Sequence, residues 1–227
     1  MRDLGQYLIQ LLHRVEQASS YEHLPDGSRP REEEERERMG LLELQDAGYL
    51  QANVRDTFDG TIVRATLSAS GYRLLREQSA QEGIQTVQKT IDQVPDQFQS
   101  TRQHLIQARK QLAELDDPRS RKDAVRDCLS ALEALVKSIS GANDIKAGVT
   151  VLRGQEFGAD EILREIQTVW QHLHQGDFRD VRHGQAIVHE LDQAEALYWI
   201  ERVLALVNYL SRLSTAPSAT GSATTPT

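Results

Sequence analysis

The sequence has one cysteine, Cys128, in 227 residues. No intrachain disulfide can form, and a reducing, cytoplasmic compartment is the natural expectation. Aromatic residues are scarce at 5%, beside 39% hydrophobic and 26% charged residues, a balance that fits a soluble, mostly helical protein. No apolar run approaches the roughly 18 to 20 residues of a membrane span. The first seventeen residues are broken by Gln10, His13, Arg14 and Glu16, so they do not read as a signal peptide. Positive charge is also short: the net charge is −8, neither half of the chain is basic, and nothing supplies general affinity for a phosphate backbone. There is no phosphate-binding GxxxxGK[ST] and no GxSxG. His172 and His174 point to different faces of a helix, and with His183, His189 and Cys128 they make no recognised zinc spacing. Neither metal nor cofactor is expected.

What is present is helical periodicity with one interruption. Leu4, Tyr7, Leu8, Leu11, Leu12 and Val15 recur at three- and four-residue spacing and predict a helix over 3–17. The run SSYEHLPDGSRP marks a loop. A second helix is expected through REEEERERMGLLELQDAG, stopped by Gly48. Then the period changes: YLQANVR and TIVRATL are β-prone runs, and Asp59-Gly60 between them suits a hairpin turn. SASGYRLLREQ predicts a further helix capped by Ser68 or Ser70, with Leu74 and Leu75 inward.

From about Gln81 onward the pattern is helical. EGIQTVQKTIDQV is broken by Pro95, and DQFQSTRQHLIQARKQLAEL forms a long polar helix, read as a connector and dimer arm. The next helix has a clear start and stop, with Asp117 as cap, Pro118 in its first turn and Gly141 beyond its end. A glycine-containing crossover over ANDIKAGVTVLRGQEFG precedes the helix ADEILREIQTVWQHLHQ, capped by Asp160 and stopped by Gly176, and Asp192 with Glu195 opens the last helix, which runs to Leu213. The cysteine and the two tryptophans, Trp170 and Trp199, fall on apolar stripes as core residues. The uncharged STAPSATGSATTPT is expected to be a disordered tail.

Two stretches carry resemblances. LLELQDAGYL, a hairpin, and then ATLSASGYRLL resemble winged-helix domains, in which a leucine-rich helix ends in an aGyi turn and the second strand leads into an LTxxGxxxL helix. The resemblance implies that the helix before the hairpin is the groove-reading one. Here that helix begins with Glu32, Glu33, Glu34, Glu35 and Glu37, which repel phosphates and sit well at a helix start. DNA binding is therefore not expected, and a solvated face or a protein-binding face is.

The second stretch is GDFRDVRHGQ, residues 176–185, between two helices. Together with DPRSRKDAVRDCLSALEALVKSI before it and EALYWIERVLALVNYL after it, it resembles the C-terminal domain of bacterial abortive-infection proteins and their relatives in the HEPN superfamily. The resemblance covers roughly residues 117 to 213. It implies a homodimeric, metal-independent endoribonuclease in which an arginine and a histidine of each protomer converge on RNA. By that resemblance Arg179 is the phosphate ligand, His183 the acid/base, and Asp180 and Arg182 their polar neighbours. The chemistry is suited: an imidazole moves a proton and a guanidinium holds developing phosphate charge. Arg179 and His183 have three residues between them, against the four to six usual in the family. A purely structural alternative is that Arg179 pairs with Asp177 or Asp180, His183 caps a helix and Gly184 makes a tight turn.

The expectation is a mainly α protein. An N-terminal winged helix-turn-helix with a small β-hairpin spans 1–80, connecting helices 81–116, a HEPN-like helical bundle 117–213 and the tail 214–227. Its function is either a defence-associated ribonuclease or a non-catalytic dimeric module whose winged helix binds a protein on its acidic helix or, second to that, DNA.

Overall fold

A computed structural model of the chain describes residues 4–18, 20–25, 27–58, 60–175 and 191–215. Among them are eight helices and a three-stranded antiparallel sheet: α1 Gln6–Gln17, β1 Tyr21–His23, α2 Arg31–Asp46, β2 Leu50–Thr57, β3 Gly60–Leu67, α3 Ala69–Gln93, α4 Gln99–Leu112, α5 Pro118–Ser140, α6 Ile145–Gly154, α7 Asp160–Gln175 and α8 Gln193–Thr215. The chain divides after Ser79 into two units. α3 contributes its residues up to Ser79 to the first and those from Ala80 on to the second.

In the first unit the strand order is β1-β3-β2. β2 and β3 are the expected hairpin, with Leu50 opposite Leu67, Ala52 opposite Ala65 and Val54 opposite Val63. Alternation puts these six side chains on one face. There Leu50, Val63 and Ala65 join Leu8, Leu11, Leu12 and Val15 of α1, Leu41 and Leu44 of α2 and Leu74 and Leu75 of α3 in one core. Toward the hairpin tip the same face leaves the core, so Val54 is exposed and Phe58 wholly so. Asp59, placed at the turn by sequence, lies outside the described residues.

The two glycine-containing motifs fold against each other. Gly48, at φ +80°, turns the chain out of α2 in a left-handed conformation that suits glycine. The carbonyl oxygens this turn exposes are then taken by Ser68: its hydroxyl donates to Gly48 O at 2.6 Å and its amide to Tyr49 O at 3.0 Å. Ser68 Oγ also accepts from the amide of Gly71 at 3.1 Å and so caps α3. A Cβ on Gly71 would lie 2.2 Å from the Tyr49 carbonyl oxygen, so that position requires glycine.

Two features of the first unit differ from expectation. The loop after α1 contains β1, three residues paired with β3 from Tyr21 opposite Ala65 to His23 opposite Val63. The acidic run of α2 is not wholly solvated either. Glu37 is 3% exposed, because it heads the stripe of Gly40, Leu41 and Leu44 that α2 turns inward. Its carboxylate accepts from Tyr21 Oη at 2.6 Å, Arg29 at 2.6 Å and Arg14 at 3.2 Å, and His23 Nδ1 lies 3.3 Å away. Burial alone would push this carboxyl up; the bonds from Tyr21 and Arg29 and the charges of Arg14 and Arg29 reverse that and hold it at about 2. Burial, then the bond to Glu37, push the Tyr21 phenol up to about 12.

The second unit is a helical bundle around α5. Asp117 caps it by accepting from the amides of Arg119 and Ser120, Pro118 stands in its first turn, and Gly141 ends it at φ +72°, as the sequence predicts. Its buried residues Val125, Cys128, Leu132, Leu135 and Val136 meet Phe98, Leu105 and Leu112 of the α4 region, Ile145, Val149 and Leu152 of α6, Leu163, Ile166 and Val169 of α7, and Ile200, Val203, Leu204 and Val207 of α8. Residues 81–116, expected as connecting helices, fall within this unit. Val87, Ile91, Leu105, Ala108 and Leu112 are all in its core, so α4 is a packed member of the bundle. Over α6 the sequence predicts a glycine-containing crossover. α6 is a helix instead, and its Gly148 lets it approach α5, since a Cβ there would lie 2.6 Å from Val136 Cγ1. α8 extends to Thr215, and the rest of the expected tail lies outside the described residues. No described helix is long and apolar enough to cross a membrane.

Two outcomes follow for the first unit. Removing the buried carboxylate with Glu37→Ala leaves the Tyr21 hydroxyl and His23 without their partner and should destabilise this unit by about 1–3 kcal/mol. Far-UV circular dichroism should lose structure early in urea, while tryptophan fluorescence, which comes only from Trp170 and Trp199 in the second unit, should hold. In the parent, the Glu37 contribution is complete above about pH 5 and is lost as the pH falls toward 2. The Tyr21 contribution is complete below about pH 10 and is lost as the pH rises through about 12. Gly71→Ala should cost about 1–3 kcal/mol from overpacking against the Tyr49 carbonyl, read as a lower urea midpoint for the same unit.

Candidate functional site

The four residues singled out by sequence, Arg179, Asp180, Arg182 and His183, all lie in 176–190, outside the described residues. The structure defines what holds that segment. At its N-terminal side α7 buries Leu163, Ile166, Val169 and Leu173, and at its C-terminal side Leu191 is 1% exposed in the same core. Asp192 then opens α8, its Oδ1 accepting from the Glu195 amide at 2.7 Å, as predicted. Arg179 to His183 are thus carried between two anchored leucines, Leu173 and Leu191.

α7 and α8 also share a seam of rings and charge. Glu165 and His172 lie on one stripe of α7, and Trp199 and Arg202 face them from α8. Arg202 donates through Nε to Glu165 at 2.9 Å and through Nη1 to Tyr198 Oη at 2.7 Å, and the Glu165 bond leads in raising its pKa. The His172 ring stacks on Trp199 with centroids 4.8 Å apart and planes 29° from parallel, and Tyr198 meets Trp199 edge-on at 5.1 Å. The Arg202 guanidinium carbon stands 5.8 Å from the Trp199 ring and 5.9 Å from the Tyr198 ring. On the other flank of α7, His174 stacks on Trp170 at 4.4 Å. The two histidines therefore turn to different tryptophans, as their two-residue spacing predicts. Both tryptophans are packed against the core yet only partly buried. Trp170 Nε1 is buried with no hydrogen-bond partner among the described residues.

Two hollows lie elsewhere. In the second unit, Ser100 and His104 of α4 and Ser130, Glu133, Lys137 and Ser138 of α5 line a groove of ≈ 400 Å³, with Glu133 and Lys137 paired at 3.8 Å. Nearby on α5, burial raises the Asp127 carboxyl despite the charges of Arg126 and His104. In the first unit, Arg31, Glu32, Glu35, Arg36 and Met39 surround a hollow of ≈ 620 Å³. Met39 there is 52% exposed, Arg36 lies 4.2 Å over the Tyr7 ring, and Arg38 pairs with Glu35 at 2.5 Å.

Sequence reading placed Tyr198, Trp199 and Arg202 as parts of an apolar helix and did not anticipate their joint surface. The available signal was the four-residue spacing of Tyr198 and Arg202, which puts both on one face. Among the described residues no group of three or more His, Cys, Asp or Glu is placed to hold a metal ion. Cys128 is buried and free, and burial pushes its thiol well above the usual range, so it is no nucleophile. Native protein should leave Cys128 unlabelled by a thiol reagent over minutes and label it fully in denaturant; fast native labelling would contradict the packing of α5. Comparison of the chain with protein-family models, with curated proteins and with solved structures gave no match.

Proposed function

We propose that the chain is a defence-associated, HEPN-type protein of the abortive-infection kind, whose second unit cleaves RNA without a metal ion. The observation that carries this reading is the framing of 176–190. The stretch with Arg179 and His183 is tethered at both ends to the bundle core by Leu173 and Leu191, and placing catalytic groups on segments held by a rigid scaffold is how loops acquire function. The chemistry follows from the residue types. One imidazole takes the proton of a ribose 2′-hydroxyl, the 2′-oxygen bonds to phosphorus, the bond to the 5′-oxygen breaks, and a second imidazole protonates that oxygen. Arg179 holds the phosphate oxygens as charge gathers on them. With one His183 in each chain, the two imidazoles come from two protomers in this reading. Asp180 and Arg182 orient these groups.

The first unit fits a winged helix. Its order of helix, strand, helix, two-stranded hairpin and helix, with β3 between β1 and β2, supports that assignment. α2 then corresponds to the helix that would enter a groove. Its exposed Glu32, Glu33 and Glu35 oppose phosphates, so we assign this unit to protein recognition and not to DNA.

A second reading has one observation in its favour. Met39 lies exposed beside the acidic residues of α2, which suits a protein partner, and the whole chain would then be a non-catalytic dimeric module.

The deciding experiment is incubation of parent, Arg179→Ala and His183→Ala proteins with total and transfer RNA in EDTA. The proposal expects cleavage by the parent and loss of at least about a hundredfold in each variant, the scale of a positioned acid/base or phosphate ligand. Equal activity of parent and variants would refute the assignment. The absence of cleavage in all three would favour the interaction module.

A further inference from the structure

We propose that His172, Trp199 and Tyr198 form a stacking platform for the bases of single-stranded RNA, an inference that rests on RNA being the substrate and names how the protein holds it. Three observations support it. The rings form one continuous set across two helices, with His172 stacked on Trp199 and Tyr198 edge-on to it. Its outer members face water, His172 being exposed and Tyr198 51% exposed. Scattered exposed aromatics are ordinary, but a contiguous set of ring faces is an interaction surface.

The set is also held in place. Glu165 fixes Arg202, Arg202 fixes the Tyr198 hydroxyl, and its guanidinium lies against both Tyr198 and Trp199. A ring locked by its own hydroxyl loses little freedom when a ligand lands on it, which is what makes a preorganised surface bind. The location is apt as well, since His172 is in the last turn of α7, directly before 176–190.

The shape selects among ligands. The exposed His172 ring lies 29° from the Trp199 plane, so what the set offers a ligand is flat ring face. Flat faces match nucleobases, every one of which has a π surface. In a duplex those surfaces are already stacked on each other, so the ligand is single-stranded, and its sequence matters little. The lone cation of the platform, Arg202, is balanced by Glu165. Contact at the platform itself is therefore by stacking, and the phosphate falls to Arg179.

The test uses a fluorescent 2′-O-methyl oligonucleotide of mixed sequence, which lacks the free 2′-hydroxyl and so reports binding apart from cleavage. Anisotropy is measured for the full-length parent, His172→Ala, Tyr198→Ala and Tyr198→Phe, with circular dichroism to verify folding. His172→Ala and Tyr198→Ala should each weaken binding about tenfold, within the range found for loss of one base-stacking ring. Tyr198→Phe keeps the ring and loses only its bond to Arg202, so it should bind between the parent and Tyr198→Ala, closer to the parent. The matching duplex should bind at least about tenfold more weakly than the single strand. If the parent cleaves RNA in a His183-dependent way but both alanine variants bind as it does, the platform is wrong and the substrate reading stands. Equal binding of duplex and single strand likewise overturns the platform. If the parent neither binds nor cleaves RNA, both fall together.

Discussion

The second unit depends on one constraint: α5 carries an apolar stripe along its 23 residues, and with Ala124 and Ala131 its buried face is too wide for a single neighbour to cover. Val125, Cys128, Leu129, Leu132, Leu135 and Val136 are all buried, and each fully covered aliphatic side chain contributes about 1.5–3 kcal/mol. Leaving part of that face in water would forfeit several such terms. Four helices close around it instead, and α7 and α8 come together because both must reach it. The segment carrying Arg179 and His183 is held by Leu173 and Leu191 as a consequence of that packing. The ring seam of His172, Trp199 and Tyr198 forms where the outer edges of the same two helices meet.

The first unit solves a different problem. Its helices are short and its sheet is small, so apolar area alone holds it less firmly. A buried carboxylate with three strong donors compensates. Glu37 joins α2 to Tyr21 on β1, to Arg14 on α1 and to Arg29 in the turn before α2. Such a cluster is costly if one member is lost and specific while all are present. It also takes Glu37 away from the surface, where Glu32, Glu33 and Glu35 of the same acidic run stay exposed.

Much of the helical architecture was legible in the sequence, and the exceptions have physical reasons. α5 is bounded by Asp117-Pro118 and Gly141 because caps act locally, within one turn. β1 left no local signal: it is three residues long and exists because β3, some forty residues later, pairs with it. α6 was masked by Gly148 and Gly154, which count as breakers in isolation; at Gly148 the missing side chain is what allows α6 against α5. Glu37 reads as surface by residue type, although its position three, four and seven residues ahead of Gly40, Leu41 and Leu44 places it on the inward stripe. α4 reads as polar because its exposed side is, while its narrow stripe of Leu105, Ala108 and Leu112 suffices for one flank of α5. Of the candidate site, the sequence supplied the residue types Arg179, Asp180, Arg182 and His183, which lie outside the described residues, and the structure supplied the flanking Leu173 and Leu191 and the ring seam of α7 and α8. The joint surface could not be read from one helix, since it needs His172 and Trp199 from different segments to meet.

The central claim is that metal-free acid/base chemistry on RNA is performed by the segment between α7 and α8. It is tested most directly by the chemical ends of RNA cleaved by purified protein in EDTA. Attack by the neighbouring 2′-oxygen predicts a 2′,3′-cyclic phosphate on one fragment and a 5′-hydroxyl on the other. Fragments with 5′-phosphate ends, which arise when water or a metal-bound hydroxide is the nucleophile, would contradict the account.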